Sequence, residues 1–157
     1  MNLPRIGSPV YSAQSFVRPT PIAVAFNGST DGFRVNAPIS AATDNFGIEA
    51  WVRPNSIAGN SVIAYNGNTS TSGGGIFRQG SSYGVLYGGN ILATVSNSVT
   101  LNQWTHLAVV RSAGTTTIYK NGVSIGTTAV GPNAPAGGVS IGINPTVASE
   151  FFSGEID

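Results

Sequence analysis

The chain has 157 residues, with Lys+Arg 7 against Asp+Glu 6, so only 8% are charged and the formal net charge is +1. Globular domains average about 25% charged residues. Sparse charge beside 41% hydrophobic content and 21 Gly with 9 Pro excludes charge-rich helical bundles, charge-driven disorder and a basic phosphate-backbone binder, and the absence of cysteine removes disulfide and thiolate chemistry.

Residues 1–20 are punctuated by Pro4, Pro9 and Pro19, with Tyr11 and Phe16 as their only aromatics. Proline spacing opposes both helix and regular ladder pairing, so an extended arm is expected. Nothing in it resembles the 7–15-residue apolar core of a signal peptide, and no run approaches the roughly 20 apolar residues of a membrane span. Residues 21–157 form one domain, long enough to bury a core without staples.

From Pro21 onward the pattern is β. Ile22–Phe26 is a short strand closed by Asn27-Gly28-Ser29. Phe46–Arg53 alternates, with Phe46, Ile48, Ala50 and Val52 sharing one face. Ser61–Tyr65, Gly75–Gln79, Tyr83–Tyr87 and Ile91–Val95 are further strands between Gly/Asn/Ser turns. Gln103–Arg111 is the longest apolar-rich run. Thr115–Lys120 and Val123–Thr128 flank Asn121-Gly122, the preferred two-residue hairpin turn, because both positions tolerate a positive φ. Ser140–Ile143 and Phe151–Asp157 bring the count to eleven or twelve strands. Many short strands with regular turns predict an all-β antiparallel sandwich.

Several of these segments match one family pattern in order. Phe46-Gly47-Ile48-Glu49-Ala50-Trp51-Val52-Arg53-Pro54 resembles the F-x-I-E-A-W-V-x-P strand of laminin-G-like jelly rolls, part of the concanavalin A-like lectin/glucanase superfamily. Val24 to Phe33 resembles the family's opening motif, and Trp104-Thr105-His106-Leu107-Ala108-Val109 its W-T-H-V-A-V strand. Ile118-Tyr119-Lys120-Asn121-Gly122 resembles its hairpin, and Phe152-Ser153-Gly154-Glu155-Ile156-Asp157 its closing strand. The resemblance covers about residues 22–157 and implies a jelly-roll sandwich. In the family the closing strand continues beyond the position of Asp157. Either the domain of residues 21–157 is truncated in its last strand, or the sheet lacks half of an edge strand; an open edge would invite strand addition, with the N-terminal arm as filler, in cis or from a neighbouring subunit. The resemblance also implies a calcium site in some relatives, and the matching positions here are Asn27, Asp31 and Asp157. Calcium requires six to eight oxygens, and Asn27 and Gly32 stand where the family often has a carboxylate and an aromatic.

Catalysis is not expected. Glu155-Ile156-Asp157 lacks the third carboxylate of the E-x-D-x-x-E strand found in glucan-cleaving relatives, and glycoside hydrolysis needs a carboxylate pair about 5–9.5 Å apart. His106, the only histidine, stands without a nucleophile-elbow sequence and reads as a structural strand residue. Gly73-Gly74-Gly75 lacks the Lys and hydroxyl of a phosphate loop and reads as a flexible loop. For a glycan, tyrosine platforms beside amides are the candidates: Tyr65, Asn66 and Asn68, then Tyr83, Tyr87 and Asn90. Trp51 and Trp104 are expected in the core because both lie within strands.

Two functions fit. One is a non-catalytic structural or assembly module, such as a virion decoration or fibre domain, contacting other subunits through the arm and the open edge. The other is a glycan-binding lectin-like or adhesin module of an exported protein. Both place the protein at a virion or extracellular surface, without nucleic acid or membrane insertion.

Overall fold

A computed structural model describes residues 23–157; the expected arm at 1–20 lies outside them. The regular structure is entirely strand, in two six-stranded antiparallel sheets. The first sheet runs β1 (Val24–Asn27), β12 (Ser153–Ile156), β3 (Phe46–Pro54), β8 (Thr105–Ser112), β9 (Thr115–Lys120), β10 (Val123–Thr128). The second runs β2 (Phe33–Val35), β11 (Gly138–Ile141), β4 (Asn60–Asn68), β5 (Ser72–Gln79), β6 (Ser82–Tyr87), β7 (Ile91–Val95). This is the expected sandwich. Strand β2 is not among the elements expected from sequence, since three residues are too few to display alternation. β11 begins two residues before the expected Ser140, and β12 is shorter than Phe151–Asp157.

Alternating side chains build the core. Val52 of β3, Leu107 and Val109 of β8 and Ile118 of β9 meet Ile63, Ile76, Tyr83, Val85 and Tyr87 of the second sheet. Phe152 closes one end, edge-on to Phe26 with ring centroids 6.4 Å apart. The Asn121-Gly122 turn carries φ values of 51° and 78°, and Val123 pairs with Lys120 across it, the two-residue hairpin expected. The Gly73-Gly74-Gly75 run is not a loop: it lies in β5. A Cβ on Gly74 would stand 2.4 Å from the Tyr87 ring, so glycine there is what lets the tyrosine lie across the sheet.

One edge is half-paired. β12 matches β3 only from Pro54 to Val52, after which Trp51 and Asp157 exchange both backbone bonds at 2.8 and 2.9 Å. Among the described residues, Phe46 to Ala50 of β3 pair with β8 alone.

The buried Arg78 has no carboxylate partner among the described residues. Its Nε donates to Ser61 Oγ (3.0 Å), Nη1 to the carbonyls of Gly59 (3.2 Å) and Gly80 (2.9 Å), and Nη2 to that of Ala58 (3.1 Å). One guanidinium thus ties the β3–β4 connection to the β5–β6 turn. Burial lowers its pKa, yet the group remains a cation because arginine starts so high. Arg78→Leu orphans these acceptors and is expected to lower the unfolding free energy by about 3 kcal/mol. Urea denaturation should show this as a lower midpoint at unchanged slope.

Candidate functional site

The structure withdraws the three tyrosines from any sugar-facing role. Tyr65, Tyr83 and Tyr87 are 2%, 0% and 1% exposed. Tyr65 donates its hydroxyl to the Ser72 carbonyl at 3.1 Å and accepts the Gly88 N–H at 2.9 Å, while Tyr87 shares a 2.7 Å bond with Thr116 Oγ1. A ring buried on both faces cannot stack on a ligand. Their amide companions clip loops instead. Asn66 accepts from Ile39 N and donates to the Ser40 carbonyl, Asn68 accepts from Ser70 N, and Asn90 donates to the Gly131 carbonyl at 2.7 Å.

The expected calcium ligands are not brought together either. Asn27 Oδ1 accepts from the backbone N–H groups of Ser29, Thr30 and Asp31, and Asp31 Oδ2 accepts from Asn27 N at 3.0 Å, so these groups order their own turn. Asn27 pairs with Ser153, four residues before Asp157. At strand rise this puts Asp157 roughly 13 Å away along the ladder. Among the described residues no cluster of three or more His, Asp or Glu side chains could hold a metal.

The outer face of the first sheet carries what those positions lack. Trp51 is 40% exposed and Trp104 37%, against the expectation that both lie in the core. The reason is the pleat of β3: with Ala50 and Val52 buried, Glu49, Trp51 and Arg53 must point outward. Buried Thr105 and Leu107 likewise turn Trp104 and His106 out. Alternation already visible in the sequence could therefore have placed both tryptophans, had it been weighed above their general preference for interiors.

These side chains form a stripe. Trp51 and His106 face each other across the β3–β8 ladder with ring centroids 5.2 Å apart and planes tilted 47°. His106 Nε2 lies 3.4 Å from Glu49 Oε2. The Arg53 guanidinium sits 5.9 Å over the Trp104 ring and grips Glu155 through two bonds, of 2.9 and 2.5 Å. That carboxylate raises the arginine's pKa by hydrogen bond and charge. Beside this group opens a notch of about 200 Å³, lined by Arg53, Asn55, Asn102 and Glu155 together with Ala25, Phe26 and Gly154. Two accessible indole faces beside amide, carboxylate and guanidinium groups can meet the apolar face and the hydroxyls of one ligand together.

Comparison with known proteins fits this architecture. A laminin-G-type family model, described as the concanavalin A-like lectin/glucanases superfamily, matches residues 27–157, and the chain belongs to that family. No curated protein matches the chain. Among solved structures, it is similar to the heptameric SAP-like pentraxin of Limulus polyphemus (TM-score 0.59, 19% identity, 85% of this chain and 71% of that one). It is also similar to domain 4 of AbnA, an extracellular arabinanase of Geobacillus stearothermophilus, in complex with arabinotriose (TM-score 0.65, 19% identity, 86% and 67%). A third similar structure is the Trypanosoma rangeli sialidase in complex with sialic acid (TM-score 0.60, 16% identity), of which the chain covers 24% against 85% of its own length. At these identities the likeness is one of fold.

Burial has a measurable signature. It raises the pKa of the Tyr65, Tyr83 and Tyr87 phenols, most strongly for the first two. A raised pKa on an acid that is neutral when protonated gives stability that is fully present below the unfolded value near 10 and declines above it. Absorbance titration should therefore show these three phenols ionising at higher pH than the tyrosines of the unfolded chain, together with loss of structure.

Proposed function

We propose that this member of the concanavalin A-like superfamily is a lectin-like module of an extracellular or surface-displayed protein, binding neutral oligosaccharides on the outer face of its first sheet. The observation that carries this reading is the pair of exposed tryptophans, Trp51 and Trp104, on one face with Arg53 and Glu155 beside them and an amide-lined notch alongside. Exposed aromatics that also carry fixed polar neighbours are uncommon on an inert surface. Glu49, Trp51 and Arg53 occupy successive outward positions on β3, a span of roughly 13 Å, which suits a short oligosaccharide better than one monosaccharide. The similar arabinanase domain was solved with arabinotriose, which makes arabino-oligosaccharides the first probes for this chain.

A second reading, a structural module of a larger surface assembly such as a virion decoration or fibre, draws on a different feature. It is favoured by the apolar residues that stand exposed beside the cavity between the sheets, Ile39 and Ile141.

The test is calorimetric titration with arabinotriose and a panel of neutral oligosaccharides. Saturable binding is expected, with Trp51→Ala and Trp104→Ala each weakening it about tenfold or more. Val123→Ser, exposed on β10 away from the stripe, should leave it unchanged. Absence of binding across the panel, or full binding by both tryptophan variants, would sink the reading.

A further inference from the structure

The notch beside Arg53 is lined by polar groups whose bonding capacity is only partly used. Two of its lining residues, Ala25 and Gly154, offer no side chain beyond a methyl group. Gly154 cannot be larger: its φ is 137°, and a Cβ there would stand 2.2 Å from the Arg53 carbonyl. The volume of about 200 Å³ lies below the roughly 300–1,000 Å³ of pockets for drug-sized ligands, which suits a single sugar ring.

The groups around it have defined donors and acceptors to offer. Arg53 directs Nε and Nη2 to Glu155, so among the described residues its Nη1 donates to nothing. Asn55 Oδ1 accepts from the Ser153 hydroxyl at 2.6 Å, while its Nδ2 has no acceptor among the described residues. Asn102 is held through its backbone, with a φ of 59° and its N–H on the Pro54 carbonyl at 2.7 Å, and its side-chain amide is likewise unbonded. Each Glu155 oxygen takes one bond from Arg53 and keeps a lone pair for another.

Donors predominate, yet the guanidinium charge is already matched by a carboxylate. An anionic ligand reaching for Arg53 meets Glu155 at the same place, and that repulsion selects against it. A hydroxyl escapes the conflict, because it accepts from a guanidinium N–H and donates to a carboxylate oxygen at once. Two adjacent hydroxyls on one ring can do so together, with the two asparagine amides left for its other oxygens.

We propose that this notch is a subsite for one uncharged sugar unit, read through a vicinal diol by Arg53 and Glu155, with Asn55 and Asn102 as its specificity determinants. The proposal rests on the glycan-binding reading of this face and adds to it a place where carboxylated sugars are refused. Arg53 also lies over the Trp104 ring, so a unit in the notch and a unit on that indole are neighbours in one chain.

The probes are methyl arabinoside, methyl glucoside and glucuronate, added singly to the whole chain and followed at the side-chain NMR signals of Asn55, Asn102 and Arg53. Saturable shifts at all three residues are expected with a methyl glycoside, at a Kd on the order of 1 mM, and a response at least about tenfold weaker with glucuronate. Ala25→Tyr places a ring in the notch from an exposed position of β1, and Asn102→Gly removes the amide while tolerating the positive φ. Each should weaken the shifts about tenfold or more while the backbone signals of β5 and β8 stay in place, showing that the sandwich is intact. Silence of the three side chains with both glycosides overturns the proposal, as do shifts that persist in Ala25→Tyr. Glucuronate binding as tightly as the glycosides overturns it in favour of an anion site. Oligosaccharide binding that is lost with the tryptophan variants but untouched by Ala25→Tyr and Asn102→Gly removes the notch and leaves the lectin-like reading standing. Notch shifts undisturbed by both tryptophan variants do the reverse.

Discussion

Everything distinctive about this sandwich hangs on the two-residue pleat of β3. Once Ala50 and Val52 are committed to the core, Glu49, Trp51 and Arg53 have nowhere to go but outward. The same strand pairs fully with β8 on one edge and by only its C-terminal part with β12 on the other. Core and aromatic stripe are thus two consequences of one strand's geometry, and moving its register by one residue would exchange them.

The fold was legible because its signals are local and redundant. The Asn121-Gly122 turn, the alternation in Phe46–Arg53 and the ordered family motifs each point to a sandwich independently. Site residues fared worse, for a physical reason. Tyr65, Tyr83 and Tyr87 stand near Gly and Asn turn residues, which suggested exposure, yet all three are buried in the assembled sandwich, where Ser72 and Gly88 partner the Tyr65 hydroxyl and Thr116 that of Tyr87. Burial of that kind is a property of the assembled sheets and leaves no mark on the neighbouring residues. The tryptophans are the opposite case. Their outward direction is written in the parity of β3 and β8, and only the average habit of tryptophan argued for the interior.

The low charge content also acquires a structural meaning. Three of the arginines do architectural work rather than decorate the surface. Arg53 bridges Glu155 and Trp104, Arg111 reaches the Thr43 and Val130 carbonyls and Thr116, and Arg78 is sunk among loop carbonyls. With cations used this way, the faces are left to small neutral residues, against which an indole stands out.

The acceptors around these guanidinium groups differ in kind. Arg53 is gripped by the carboxylate of Glu155 on the outward stripe. Arg78 and Arg111 instead direct their donors to carbonyl and hydroxyl oxygens of segments far apart along the chain. A guanidinium offers five donors in one rigid plane, so each of these two side chains fastens several connections at once, and a single substitution at either loosens several loops together.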